Sequence, residues 1–192
     1  MSDESFHAGA SRRFLFLDAG ARLGGNTEQL ARLAAESSLP VGAEQRWLRL
    51  ADHPLPPFQD LRHVGDGVFP EPEGHERTLL EATLAATDLV FVAPLYWYTL
   101  PTPAKLYLDY WVAWLRAPGV EFRARMAGST LWGVTVLAGR DAAADPLADT
   151  LRLSAEYMGM RWGGLLRGNG SRPGDVLSDE RALVEAKSFF AD

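Results

Sequence analysis

Asp18-Ala19-Gly20-Ala21-Arg22-Leu23-Gly24-Gly25-Asn26-Thr27 is a loop built to hold an anion. Its glycines allow backbone N–H groups to converge on one centre. A helix that starts at its end aims its positive pole at the same place. Arg22 offers a fork of donors and Thr27 a hydroxyl, so the chemistry indicated is capture of a phosphate dianion. Two familiar nucleotide sites do not fit. Gly20-x4-Gly25-Asn26-Thr27 has asparagine where a nucleoside-triphosphate loop needs lysine, and Gly20 and Gly24 do not make a GxGxxG dinucleotide fingerprint. An empty glycine-rich turn is the bland alternative. Asp18 is unfavourable beside a phosphate and is expected to bond loop N–H groups or Arg22.

A second loop, Ala93-Pro94-Leu95-Tyr96-Trp97-Tyr98-Thr99-Leu100-Pro101, carries three consecutive aromatic residues. They cannot all enter one core, so at least one faces solvent or a flat ligand. An isoalloxazine ring is such a ligand; a subunit interface is the other reading, and the two are compatible.

The elements that position these loops follow from patterning. Residues 13–17 read as a buried strand, with Asn26 and Thr27 as cap residues of the helix that follows. Residues 45–50 form a second strand, and 76–86 a helix with Leu79, Leu80, Thr83 and Leu84 on one face. Residues 88–93 are the strongest strand. Pro101 and Pro103 open a helix running to about residue 114. A strand at 128–137, a helix at 146–158 capped by Gly159, a strand at 161–166 and a helix at 178–190 with Ser178 as N-cap complete the series. Five strands alternating with helices imply an α/β three-layer sandwich: a five-stranded parallel sheet in the flavodoxin-like order 2-1-3-4-5. Ligand is then expected at the carboxyl ends of strands 1 and 3, where both loops lie.

Here a resemblance becomes specific. Pro94-x-Tyr96-Trp97-x3-Pro101-x3-Lys105-x3-Asp109 resembles the signature of the NADPH-dependent FMN reductases and their flavodoxin-like NAD(P)H:quinone oxidoreductase relatives. Arg22-x2-Gly25-Asn26-Thr27 resembles the same family's phosphate loop, and Pro173-Gly174-Asp175 its C-terminal segment. The resemblance spans roughly residues 13–190. It implies FMN as cofactor, with NADPH or NADH as electron donor and a quinone, flavin or similar small acceptor. Gly20, Arg22, Gly25, Asn26 and Thr27 would then form the phosphate site, and Pro94, Leu95, Tyr96, Trp97 and Tyr98 would line the ring. Ala138, Gly139 and Arg140 would approach its pyrimidine edge. The family usually has serine where Gly20 stands, which removes one hydroxyl contact. Lys105 and Asp109 read as a weak surface pair one helical turn apart. No nucleophile is required, because the protein binds, orients and tunes the flavin.

Composition bounds the rest. The 192 residues are 47% hydrophobic and 23% charged, as expected of one globular domain, residues 12–192 behind an N-terminal tail at 1–11. A net charge of -6 argues against a nucleic-acid partner. The absence of cysteine removes thiolate zinc, iron–sulfur and cysteine-nucleophile chemistry, including that of a low-molecular-weight phosphatase. No metal and no membrane partner is expected, and the compartment read is the cytoplasm. A phospho-receiver domain would need an acidic pair after strand 1 and an aspartate after strand 3, where Ala93-Pro94 stands. A non-enzymatic flavin carrier of the flavodoxin type stays open. His53, His63 and His75 show no metal spacing in the long proline- and glycine-rich loop at 51–74, which could cover a flavin or meet a partner subunit. Tyr107, Tyr110, Trp111 and Trp114 recur at near-helical spacing; they read as core or, more sharply, as the face of a homodimer or homotetramer.

Overall fold

The computed structural model describes residues 11–191. Strands β1 (Arg13–Asp18), β2 (Glu44–Arg49), β3 (Asp88–Val92), β4 (Thr130–Leu137) and β5 (Arg161–Asn169) pair in parallel in the order β2-β1-β3-β4-β5. This is the expected order, and the central strands are apolar on both faces because both faces are covered. Leu15, Leu17, Leu89, Phe91 and Leu131 pack beneath α2 (Gly74–Ala85), α3 (Thr102–Trp114), the short α4 (Phe122–Met126) and α5 (Asp145–Met158). On the opposite face Phe14, Phe16, Val90, Val92, Val134 and Val136 meet α1 (Asn26–Ser38) and α6 (Glu180–Ala186).

Several boundaries differ from expectation for local reasons. The N-cap of α1 is Gly25, and Asn26 and Thr27 are already its first turn. At α6 the cap is Asp179, whose side chain accepts the Ala182 N–H, while Ser178 closes a preceding 3-10 turn. That helix ends at Ala186, short of residue 190. Of the tail expected at 1–11, residues 1–10 lie outside the described residues, and Ser11 donates its hydroxyl to the Gly42 carbonyl at 2.6 Å.

The aromatic stripe of α3 is core. Tyr107, Tyr110, Trp111 and Trp114 are buried. The Tyr107 and Thr83 hydroxyls lie 2.5 Å apart, and Trp114 Nε1–H donates to Glu76 at 3.0 Å. These rings face the sheet and the 51–74 loop, which packs Leu55, Phe58, Leu61 and Phe69 against them. The stripe therefore cannot be a subunit face, and the loop serves as a lid on this core. Lys105 and Asp109 pair on the helix surface as expected.

At the amino end of the sheet, buried Asp88 accepts from Arg12 Nη2 at 2.6 Å, Trp132 Nε1 at 3.0 Å and Thr87 Oγ at 2.8 Å. Removing one member of such a set leaves polar groups desolvated without partners. Asp88→Ala is expected to cost about 3 kcal/mol, read as a lower urea midpoint with an unchanged slope; a loss within experimental error would contradict this role.

Candidate functional site

The carboxyl ends of β1, β3, β4 and β5 are tied into one rim by backbone bonds. Ala19 N–H donates to Val92 O at 2.9 Å, Ala93 N–H to Val134 O at 3.0 Å and Gly170 N–H to Leu137 O at 3.0 Å. The loops that follow these strands enclose a cleft of about 250 Å³. That is slightly below the roughly 300–1,000 Å³ of small-molecule pockets. The cleft is therefore sized for one end of a ligand, with the rest on the open rim.

Gly20, Arg22, Gly25, Asn26, Thr27, Pro94, Leu95, Tyr96 and Ala138 all line this cleft. Loops distant in sequence are thus brought together at the expected switch point. Trp97, Tyr98, Gly139 and Arg140 stand outside the wall and are exposed. Sequence reasoning missed Gly170 and Ser171, which supply the wall after β5, together with Val136, Leu137 and Glu28. The glycine-flanked run Gly168-Asn169-Gly170-Ser171 was the available signal for the first two.

The floor of the cleft is the start of α1. Gly25 caps it without a side chain, so the N–H groups of the first turn have no partner from the cap. They and the helix dipole face the cleft, which suits an anion. Two acceptors shape the loop above. Asp18 Oδ1 accepts the Gly20 N–H at 2.8 Å, and Glu28 Oε2 accepts the Gly24 N–H at 2.8 Å. The expectation that Asp18 bonds a loop N–H is met. Burial pushes the Asp18 carboxyl above the usual carboxylate range, opposed by its bond to Gly20 and reinforced by Glu28. Because its folded value lies above its unfolded one, ionised Asp18 disfavours folding at high pH. That penalty disappears as pH falls through the folded value toward the unfolded one.

Asn26 acts across the fold. Its Nδ2 donates to Arg172 O at 2.8 Å, and its Oδ1 accepts the Gly174 N–H at 2.8 Å. Asp175 completes the turn by accepting the Ser171 and Arg172 N–H groups at 3.0 and 2.7 Å, which hold its carboxyl below its ordinary value. Gly170 sits so close that a Cβ there would meet Asn26 Nδ2 at 3.0 Å and Asp175 Cβ at 2.9 Å. The Asn26 carboxamide is therefore a clamp between the first loop and the 170–175 turn.

Above the cleft, Tyr96–Thr99 is a tight hairpin. Tyr96 and Thr99 exchange backbone bonds at 3.2 and 3.1 Å, and Trp97 and Tyr98 have φ of 48° and 67°. Positive φ at both central residues is the type I′ geometry, which favours Asn-Gly and strains aromatic residues. The strain presents Trp97 at 91% exposure beside the cleft. In the third loop, Asn169 Nδ2 donates to Gly139 O at 2.7 Å, fixing that peptide on the rim.

Comparison with known proteins follows the same lines. Residues 12–188 match the model of a family described as having a flavodoxin-like fold. A Bacillus subtilis (strain 168) protein, YwqN, is 31% identical over 176 residues, 91% of this chain and 94% of its own; its name assigns it provisionally as an NAD(P)H-dependent FMN-containing oxidoreductase. The structure of the Trp repressor binding protein from Bacillus subtilis superposes with a TM-score of 0.71 at 27% identity, covering 91% of this chain and 95% of that one. An NAD(P)H:quinone oxidoreductase from Methanothermobacter marburgensis has a TM-score of 0.68 at 18% identity, over 93% of this chain and 94% of its own, a likeness of fold.

Proposed function

The chain belongs to the family of the flavodoxin-like fold, and on that premise we propose that it is an FMN-dependent oxidoreductase passing electrons from NADPH or NADH to a quinone, flavin or similar small acceptor. The observation that carries this is the pairing of an anion cleft at the start of α1 with a strained aromatic hairpin on its rim. The relative YwqN, named for FMN and NAD(P)H, supports the same reading across nearly the whole chain.

FMN, when bound, supplies hydride acceptance and two-electron transfer. The chain's residues do the rest. Gly20, Arg22, Gly25 and Thr27, with the first-turn N–H groups of α1, hold the phosphate. Asn26 contributes its backbone N–H there, while its side chain holds the Ser171 wall in place. Pro94, Leu95 and Tyr96 of the cleft wall, with exposed Trp97 and Tyr98 beside them, would hold the ring. Ala138, Gly139 and Arg140 would offer N–H groups and a positive charge to the pyrimidine edge, where reduction adds negative charge.

No helix among the described residues is long and apolar enough to cross a membrane. We place the reaction in the cytoplasm, where reduced nicotinamide nucleotides are available. Exposed Trp97 and Tyr98 suit contact with a second copy, and the assembly proposed is a homodimer or homotetramer.

The test is steady-state oxidation of NADPH and NADH by FMN-loaded protein with a quinone acceptor. Turnover well above that of free FMN is expected with at least one donor. A rate equal to free FMN with every donor and acceptor would overturn the enzymatic reading.

A further inference from the structure

A carboxylate is an unusual neighbour for a phosphate, and the cleft holds two, buried Asp18 and half-buried Glu28. Asp18 and Glu28 both line it, with Arg22 as the cation among the lining residues. The cations that face Asp18 from neighbouring elements pair with other acids. Arg32 of α1 neutralises Glu28 at 2.8 Å, and Arg49, opposite Asp18 on β2, pairs with Asp52 at 3.6 Å, which leaves Asp18 as the cleft acid without an ion pair among the described residues. The remaining titratable group on the cleft, Tyr96, is a phenol.

Position 20 explains how the carboxylate comes to be there. Asp18 Oδ1 accepts the Gly20 N–H, and a Cβ on Gly20 would stand 3.0 Å from that same oxygen. The missing side chain at 20 is the space the carboxylate fills. An ionised acid there can only repel a phosphate. A protonated one can donate an O–H to it, as a serine would.

We infer that Asp18 couples cofactor uptake to proton uptake: Oδ2 takes a proton as the FMN phosphate enters and releases it when FMN leaves. This rests on the FMN reading above. No bond other than the O–H is made or broken, and solvent supplies and recovers the proton. Asp18 thereby acts as the proton-dependent donor of the phosphate site, so the holoprotein persists at low pH and sheds cofactor as pH rises.

The experiment compares FMN and riboflavin binding by apoprotein and by Asp18→Asn, at about pH 5.5 and about pH 8. Asparagine keeps an acceptor for Gly20 and offers a permanent N–H donor, imitating the protonated acid. The wild-type Kd for FMN, divided by that of Asp18→Asn, is expected to rise at least about tenfold between the two pH values, by linkage. The same ratio for riboflavin, which has no phosphate, is expected to stay flat. A second measurement needs no variant: calorimetric titration of wild-type apoprotein with FMN at about pH 7 in two buffers of different ionisation enthalpy. Phosphate with a second pKa of about 6 releases protons when bound as a dianion, so net proton uptake supports Asp18 as the acceptor, and release or no change overturns it. An FMN ratio independent of pH likewise overturns the coupling while leaving FMN as cofactor. Failure of the wild type to bind either flavin at both pH values would instead remove the cofactor reading itself.

Discussion

Replacing Trp97-Tyr98 by Asn-Gly is expected to stabilise the protein while weakening its hold on FMN by about tenfold or more. The two effects have one origin. Both residues have positive φ in a hairpin closed by Tyr96 and Thr99, a conformation that costs non-glycine residues about 1–3 kcal/mol each. Asn-Gly adopts it readily, so a gain of about 1–3 kcal/mol is expected in chemical unfolding of the apoprotein. The aromatic pair contributes nothing to the core to offset that cost, since Trp97 is 91% and Tyr98 59% exposed. What it provides is flat apolar surface beside the cleft. Losing such surface from a ring site is worth about 0.5–1.5 kcal/mol per aromatic contact beyond area burial. A more stable variant with undiminished FMN affinity would show that the tip does not touch the ring.

Asn26→Ala is expected to reduce both stability and FMN affinity, because one side chain serves both. Its carboxamide satisfies Arg172 O and the Gly174 N–H, more than 140 residues away in sequence. Unpaired, partly buried backbone groups cost about 1–3 kcal/mol each, so a loss of about 2–4 kcal/mol is expected in urea unfolding. The 170–175 turn would then drift from the cleft and take the Ser171 wall with it, and FMN affinity is expected to fall about tenfold, as a 1.4 kcal/mol loss gives. Asn26→Asp is the sharper variant. It keeps the acceptor for Gly174 but sets a carboxylate oxygen against the Arg172 carbonyl, so it is expected to be at least as damaging. If Asn26 instead served only to donate its side chain to phosphate, affinity would fall with stability unchanged.

Much of this architecture was legible in the chain because local patterns determine it. Buried parallel strands read as apolar runs such as Leu89–Val92, and their alternation with helices leaves few strand orders. Pro101 and Pro103 mark the start of α3, which begins at Thr102 between them, since proline costs nothing where no N–H is needed. Long-range partners were not legible. Asn26 and Thr27 have the residue types of a cap, yet Gly25 caps the helix and the Asn26 amide is spent on a turn after β5. Ser178 and Asp179 are both good caps, and only the fold selects Asp179, which also accepts the Asn169 N–H at 2.7 Å. The aromatic spacing of α3 is identical for a core and for an interface, and the choice was made by the 51–74 loop that covers it. Loop 93–101 announced an exposed aromatic surface by its three consecutive rings, but nothing local showed that it turns as a hairpin whose two central residues carry positive φ.

The most direct test of the central claim is anaerobic mixing of FMN-loaded protein with NADPH or NADH, followed by addition of a quinone. The yellow absorbance band of the flavin is expected to bleach on mixing with at least one donor, faster than for free FMN, and to return when the quinone arrives. A band that neither donor bleaches would contradict an NAD(P)H-dependent oxidoreductase and leave a flavin carrier in its place.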